Sequence, residues 1–160
     1  MNIFFLHTCP ELSAKDLCDK HVVKMVLETA QMCSTALRRN GLEPLPSTYK
    51  TAFKNHPMTL WVGDCRENFM WALDHGLAIG KEYTRRYGRD HASTQVLQDI
   101  KNAYFRNSHY NNLKWHISTP PQCMPDEFKC DDYVEAYRAY YKVEKAAFLD
   151  YTNSQQPAWL

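Results

Sequence analysis

Glycine is scarce in this chain: five in 160 residues, most of them between or inside segments that read as helices. The six cysteines (Cys9, Cys18, Cys33, Cys65, Cys123 and Cys130) contain no C-x-x-C pair, so a zinc centre has no spacing to support it. Free thiols in a reducing compartment are expected instead. A net charge of +1 removes any global electrostatic argument for nucleic-acid binding, so such binding would need a local patch. No apolar run approaches the roughly 20 residues of a membrane span, and the first one, Ile3 to Leu6, is too short for a signal-peptide core. A cytoplasmic protein without membrane contact is therefore expected. Repeats and low-complexity segments are missing too.

What remains is a chain of ordinary charge, rich in aromatics, with ten Tyr, seven Phe and four Trp. Its length suits one domain, residues 1–160, with a substantial core. The expected fold is mainly α: a single compact helical domain with a short extended segment at Asn2–His7.

Ser13 to Arg38 reads as one long helix, with Ser13 and Asp16 as a capping pair. Asn40 and Gly41 supply its C-terminal chemistry. Pro57 opens a short helix to Val62, and Gly63-Asp64 interrupts it. Asp64 with Glu67 makes a fresh cap for a long helix from Cys65 to Tyr87, closed by Gly88. Gly76 and Gly80, one turn apart, would let another helix approach closely. Ser93–Tyr104 reads as a shorter helix and Phe105–Cys130 as a long irregular segment. A last helix starts at Asp132, capped with Glu135, and runs to about Tyr151. Its tyrosines, Tyr133, Tyr137, Tyr140 and Tyr141, suit a core face more than a contact surface.

Three residues of the first long helix carry candidate chemistry. At about 100° per residue, His21, Lys24 and Glu28 fall within roughly 60° of one another. An acid, an imidazole and an amine so placed could run general acid/base chemistry or stabilise a developing cation. A solvated helix face reads the same way, with Lys24 and Glu28 a plain i,i+4 pair. Asp19 projects away from that stripe. It is either a first-turn carboxylate facing the helix N-terminus, the favoured alternative, or a buried partner of an arginine on another helix. His56, before Pro57, either meets an anion or caps the helix. Trp61 is a core residue or a stacking platform.

Glu82 to His91 is the densest basic and aromatic stretch. Arg85, Arg86, Arg89 and His91 could hold phosphates there, and tyrosines could stack on bases. Glu82 and Arg86 also make an ordinary helical pair. The loop FRNSHYNNLKWH adds Arg106, His109, Tyr110, Lys114, Trp115 and His116.

Taken together, these motifs resemble a known family. Asp19-x-His21 is followed by Glu28, then by His56-Pro57 before a long helix ending in EYTRRYG. MPDEFK and a terminal Pro-Ala-Trp come later. The pattern is similar to the phage pyrimidine-dimer DNA glycosylase family of the endonuclease V type, or to small phage proteins near it. The resemblance implies a small helical fold that cuts the glycosidic bond of a damaged pyrimidine and then the backbone. It implies a free N-terminal amine as nucleophile, forming an imine with the sugar, and a helix glutamate, here Glu28, that stabilises the intermediate. A helix histidine matches His21, which would orient groups or shuttle a proton.

This chain departs from the pattern twice. Its second residue is Asn2, which normally keeps Met1, where the family has a small one. Leu27 stands where the family has an arginine that reaches DNA. Lys24 is a substitute amine one helical turn from Glu28.

The expected activity is glycosylase or glycosylase/lyase chemistry on DNA or a nucleotide, without metal or organic cofactor. Lys24, His56, Arg86 and His91 would bind phosphate or base. A DNA- or nucleotide-modifying enzyme of the same fold without lyase chemistry is one alternative. A non-catalytic binding module, for instance one countering a host defence, is another. If phage-encoded, the protein would work in the host cytoplasm. The wide apolar arc of the first helix leaves room for a dimer.

Overall fold

A computed structural model describes residues 2–41, 45–106 and 117–160. It is helical, with no strand among those residues. In chain order the helices are α1 (Pro10–Lys15), α2 (Asp19–Arg39), α3 (Pro57–Val62), α4 (Arg66–Tyr87), α5 (Ala92–Arg106) and α6 (Tyr133–Glu144). Two 3₁₀ turns, Asp126–Phe128 and Ala146–Phe148, flank α6. Among the described residues no helix is long and apolar enough to cross a membrane.

The N-terminal arm is the centre of the core. Ile3, Phe4, Phe5 and Leu6 are all buried. Phe5 stacks on Trp71 at 4.3 Å and meets Trp61, Tyr133 and Tyr137. Phe4 stacks on His21 at 4.4 Å and meets Tyr141 edge-on. A buried backbone needs partners for its amides and carbonyls. Here side chains supply several of them. Ser13 Oγ donates to Phe4 O and accepts from Leu6 N, and Arg138 Nε donates to Leu6 O. The arm is thus held without a neighbouring strand among the described residues, and Leu6 N also bonds back to Phe4 O at 3.0 Å.

The expected Ser13–Arg38 helix is divided. Ser13 is not its cap; it lies buried inside α1, bonded to the arm. The chain breaks at Asp16–Cys18, and Cys18 turns extended (φ −68°, ψ 164°) before α2. Groups far along the sequence satisfy the break. Tyr141 Oη accepts from Cys18 N, Asp150 O accepts from Asp19 N, and Tyr151 Oη donates to Asp16 O. Trp159 Nε1 adds a 2.7 Å bond to Asp16 Oδ2. The C-terminal tail therefore clamps the α1–α2 corner.

Other boundaries lie close to expectation. α3 matches its expected limits, and Gly88 ends α4 in the left-handed conformation at φ +66°. The α4 cap is Cys65, whose sulfur accepts from Asn68 N, rather than Asp64. Asp132 Oδ1 caps α6 as expected, but the helix stops at Glu144 rather than near Tyr151. Gly76 and Gly80 do admit neighbours. A methyl on Gly76 would sit 2.8 Å from Thr29 of α2 and from Leu97 of α5, and one on Gly80 would sit 2.4 Å from Thr94 Oγ1.

Two buried histidines couple this core to pH. His75 stacks on Trp71, and both its ring nitrogens lack partners among the described residues. Burial pushes its pKa down to about 3. His21 falls to about 4, through burial first and then the charges of Lys145, Lys24 and Lys20. In the unfolded chain both return to roughly 6.5. Between those limits the unfolded state binds more protons, so stability is full above about pH 6.5 and declines as pH falls toward 4. Each imidazole contributes a slope of up to about 1.4 kcal/mol per pH unit. Urea midpoints at about pH 7.5 and about pH 5 should differ accordingly, and His75→Leu should flatten the dependence. Equal midpoints for the parent protein would rule out neutral burial of both rings.

Candidate active site

α2 presents Glu28 where the N-terminal arm begins. The Asn2 backbone nitrogen donates to Glu28 Oε2 at 3.1 Å, and Lys24 Nζ lies 3.2 Å from Glu28 Oε1. Two nitrogens of different origin thus face the two oxygens of one carboxylate. Glu28 is only 8% exposed, while the Lys24 side chain is largely in solvent. The carboxylate is therefore not part of a wet helix face.

Asn2 is held on every side. Its Nδ2 donates to Cys123 O, and its Oδ1 accepts from Ile3 N and from Tyr137 Oη. Tyr137 Oη also accepts from Cys123 N, and burial raises its pKa. The wall behind the arm is therefore built from α6 and the segment leading to it. Asn2, Cys123 and Tyr137 do not emerge as site residues from local sequence. The single sequence signal for Asn2 is the family's use of its N-terminus.

His56 closes another side. Its Nδ1 caps α3 by accepting from Met58 N at 3.2 Å, which holds the acceptor nitrogen unprotonated. Burial lowers its pKa, and the nearby Glu28 carboxylate opposes that shift. His56 thus takes the capping role and lies within the electrostatic reach of Glu28.

The structure separates His21 from this group. Seven residues along α2 amount to about 10 Å of rise. His21 sits in an aromatic cage of Phe4, Tyr141 and Phe148, with Nδ1 2.7 Å from Tyr141 Oη. Tyr141 Oη also accepts from Cys18 N. A neutral imidazole locked in this way positions α2 against α6 and the arm.

The Glu82–His91 stretch lies elsewhere and divides by burial. Arg86 has a fully buried side chain, donating to Glu82 Oε1 at 2.7 Å, Asp19 Oδ1 at 2.9 Å and Lys15 O at 3.1 Å. Asp19 therefore takes the second of its two readings, a partner of an arginine on another helix. Its other oxygen accepts from Thr152 N. Glu82 is buried beneath Arg85 and Arg86; burial raises its pKa, but the two guanidinium bonds outweigh that and lower it. Arg85 and Arg89 are exposed, Arg89 lying over Tyr83. His91 caps α5 through Ser93 N. Trp61 is a core residue whose Nε1 donates to Ser118 O. His109, Tyr110, Lys114, Trp115 and His116, together with the Arg106 side chain and Met1, lie outside the described residues.

Chemically, the Glu28 group offers a carboxylate positioned by the core, two nitrogens at its oxygens and a neutral imidazole alongside. That set can stabilise a cation forming on a sugar and manage its proton. The family model for pyrimidine dimer DNA glycosylases matches residues 1–95, which hold Asn2, Lys24, Glu28 and His56. No curated protein and no solved structure gives a significant match.

Proposed function

Because the chain belongs to the pyrimidine dimer DNA glycosylase family, we propose that it excises a damaged pyrimidine from DNA at the Glu28 site and then opens the abasic sugar. The observation that carries this reading is the 3.1 Å hydrogen bond from Asn2 N to Glu28 Oε2. It joins the start of the chain to a carboxylate that the core holds in place. Removal of Met1 would turn that backbone nitrogen into an α-amine.

The amine adds to the sugar C1′ as the C1′–N bond to the base breaks, and the base leaves with the bonding pair and a proton. The nitrogen then loses a proton and its lone pair expels the ring oxygen: the C1′–O4′ bond breaks, O4′ takes up a proton, and a protonated imine joins protein and sugar. Glu28 stabilises the positive charge that grows on the sugar and accepts the amine's proton. Lys24 Nζ, at the other oxygen of Glu28, is the alternative amine. His56 lines the site, and exposed cations such as Lys24 and Arg89 meet phosphates.

Borohydride reduction on a duplex carrying one pyrimidine dimer tests the assignment. Asn2 normally keeps Met1, so the N-terminal mass is read first: where it shows Met1 removed, a covalent adduct on the N-terminal peptide is expected, and a chain that retains Met1 should give none there. An adduct on the Lys24 peptide would transfer the nucleophile to Lys24. Base release without any adduct would remove the lyase step and leave Glu28 to activate water.

A further inference from the structure

Phe53 is an anomaly on the turn that leads into His56. It is 63% exposed, the most exposed of the large apolar side chains among the described residues. Its backbone sits at φ +48°, a left-handed conformation that a side chain of its size rarely adopts. Among the described residues the other non-glycine residue at positive φ is Asn153, of a type that tolerates it. Exposure and backbone at Phe53 both run against stability, and an Asn or Gly would serve the turn better.

The turn is nevertheless fixed on both sides. Thr35 Oγ1 accepts from Ala52 N at 3.0 Å and donates to Ala52 O at 3.2 Å. Past Phe53, its carbonyl accepts from His56 N at 2.9 Å. Further back, Ser34 Oγ accepts from Tyr49 N and Arg38 donates to Thr48 Oγ1. Residues 48–56 are thus laced along α2, from Arg38 back toward Glu28. Thr35 and Glu28 share a helix face about 10 Å apart, and His56 lies in the field of Glu28. Phe53 lies on the stretch of chain that runs from the Thr35 contact to His56, and the Thr35–Glu28 interval equals about three base steps of a DNA strand.

We infer that Phe53 is a wedge that enters the base stack of the DNA within about three base steps of the sugar held at Glu28. The inference rests on the glycosylase reading above and adds a residue to it. The phenyl face stacks on a base of any sequence, and insertion unstacks and kinks the duplex near the damage. Because the strap already fixes the backbone, insertion needs no ordering of the turn. The strained conformation is consistent with such a role, since strain persists where the surroundings over-determine it.

The test uses the full-length protein, Phe53→Gly and Phe53→Tyr, with duplexes carrying one pyrimidine dimer and 2-aminopurine placed in turn at each of the first few bases on either side of it. Phe53→Gly relieves the backbone, so its melting temperature should equal or exceed the parent's. Its affinity for the dimer duplex should nevertheless fall about 5- to 150-fold. The rise in 2-aminopurine fluorescence on binding should vanish with Phe53→Gly and persist with Phe53→Tyr. Parent-like affinity and fluorescence in Phe53→Gly, with dimer excision intact in the parent, overturn the wedge and leave the glycosylase reading standing. A parent protein that neither binds nor excises the dimer overturns both.

Discussion

Glu28→Gln should lower turnover on a dimer-containing duplex by about 100- to 1,000-fold while leaving binding and melting nearly unchanged. The change is almost isosteric and keeps an oxygen to accept from Asn2 N, so the arm stays seated. What it removes is the negative charge against which positive charge grows on the sugar. The Lys24 pair is lost with it, but an i,i+4 pair with one end in solvent is worth about 0.5 kcal/mol or less. The decisive measurement is single-turnover base release beside a thermal melt of the same sample. Near-parental release would make Glu28 a scaffold for the arm and move the chemistry elsewhere. A collapsed melt would show that the carboxylate is needed for folding, and the rate would then say nothing about catalysis.

Arg86→Ala should have the largest effect on stability. The guanidinium is fully buried and ties three chain segments together: Glu82 on its own helix, Asp19 at the start of α2, and Lys15 O at the end of α1. Truncation leaves a buried carboxylate partly uncompensated and an orphaned carbonyl beside the α1–α2 break. Breaking one side of such a pair costs about 3–5 kcal/mol. For a chain of this size that lowers the melting temperature by roughly 6 to 20 °C. Asn153 Nδ2 bonds to Arg86 O, so loosening should spread into the tail. The melt separates this role from phosphate binding: a DNA contact would lose affinity with an unchanged melt. Arg85 and Arg89, on the exposed side, are the candidates for that second pattern.

Much of the framework was legible from local chemistry. Pro57 and Gly88 mark helix limits because their backbone preferences act within one or two residues. The tyrosine stripe of α6 reads correctly as core, because a 3.6-residue period reports which face is covered. Gly76 and Gly80 announce close helix packing because the missing side chain is itself the signal. Glu28 becomes a candidate through its spacing from His21 and the likeness to a glycosylase helix, though that spacing placed together two residues that the fold keeps in separate surroundings.

What was not legible depended on partners far along the chain. Nothing near Asp16 predicts a break, because periodicity runs through it. The break is stable only because Tyr141, Asp150, Tyr151 and Trp159 return to satisfy its backbone and side-chain groups. Asp19 and Arg86 look like a first-turn acid and a helix-end cation until the tertiary structure pairs them across 67 positions. The sequence by itself determined the helical class, most helix limits and the candidate carboxylate, all of which follow from short-range backbone preference and side-chain period. Only the tertiary structure decided that the N-terminal arm lies in the core with Asn2 N on Glu28, that His21 is caged and neutral, and that Arg86 is buried. Those outcomes are set by which distant groups satisfy one another once water is excluded, and short-range spacing carries no record of that.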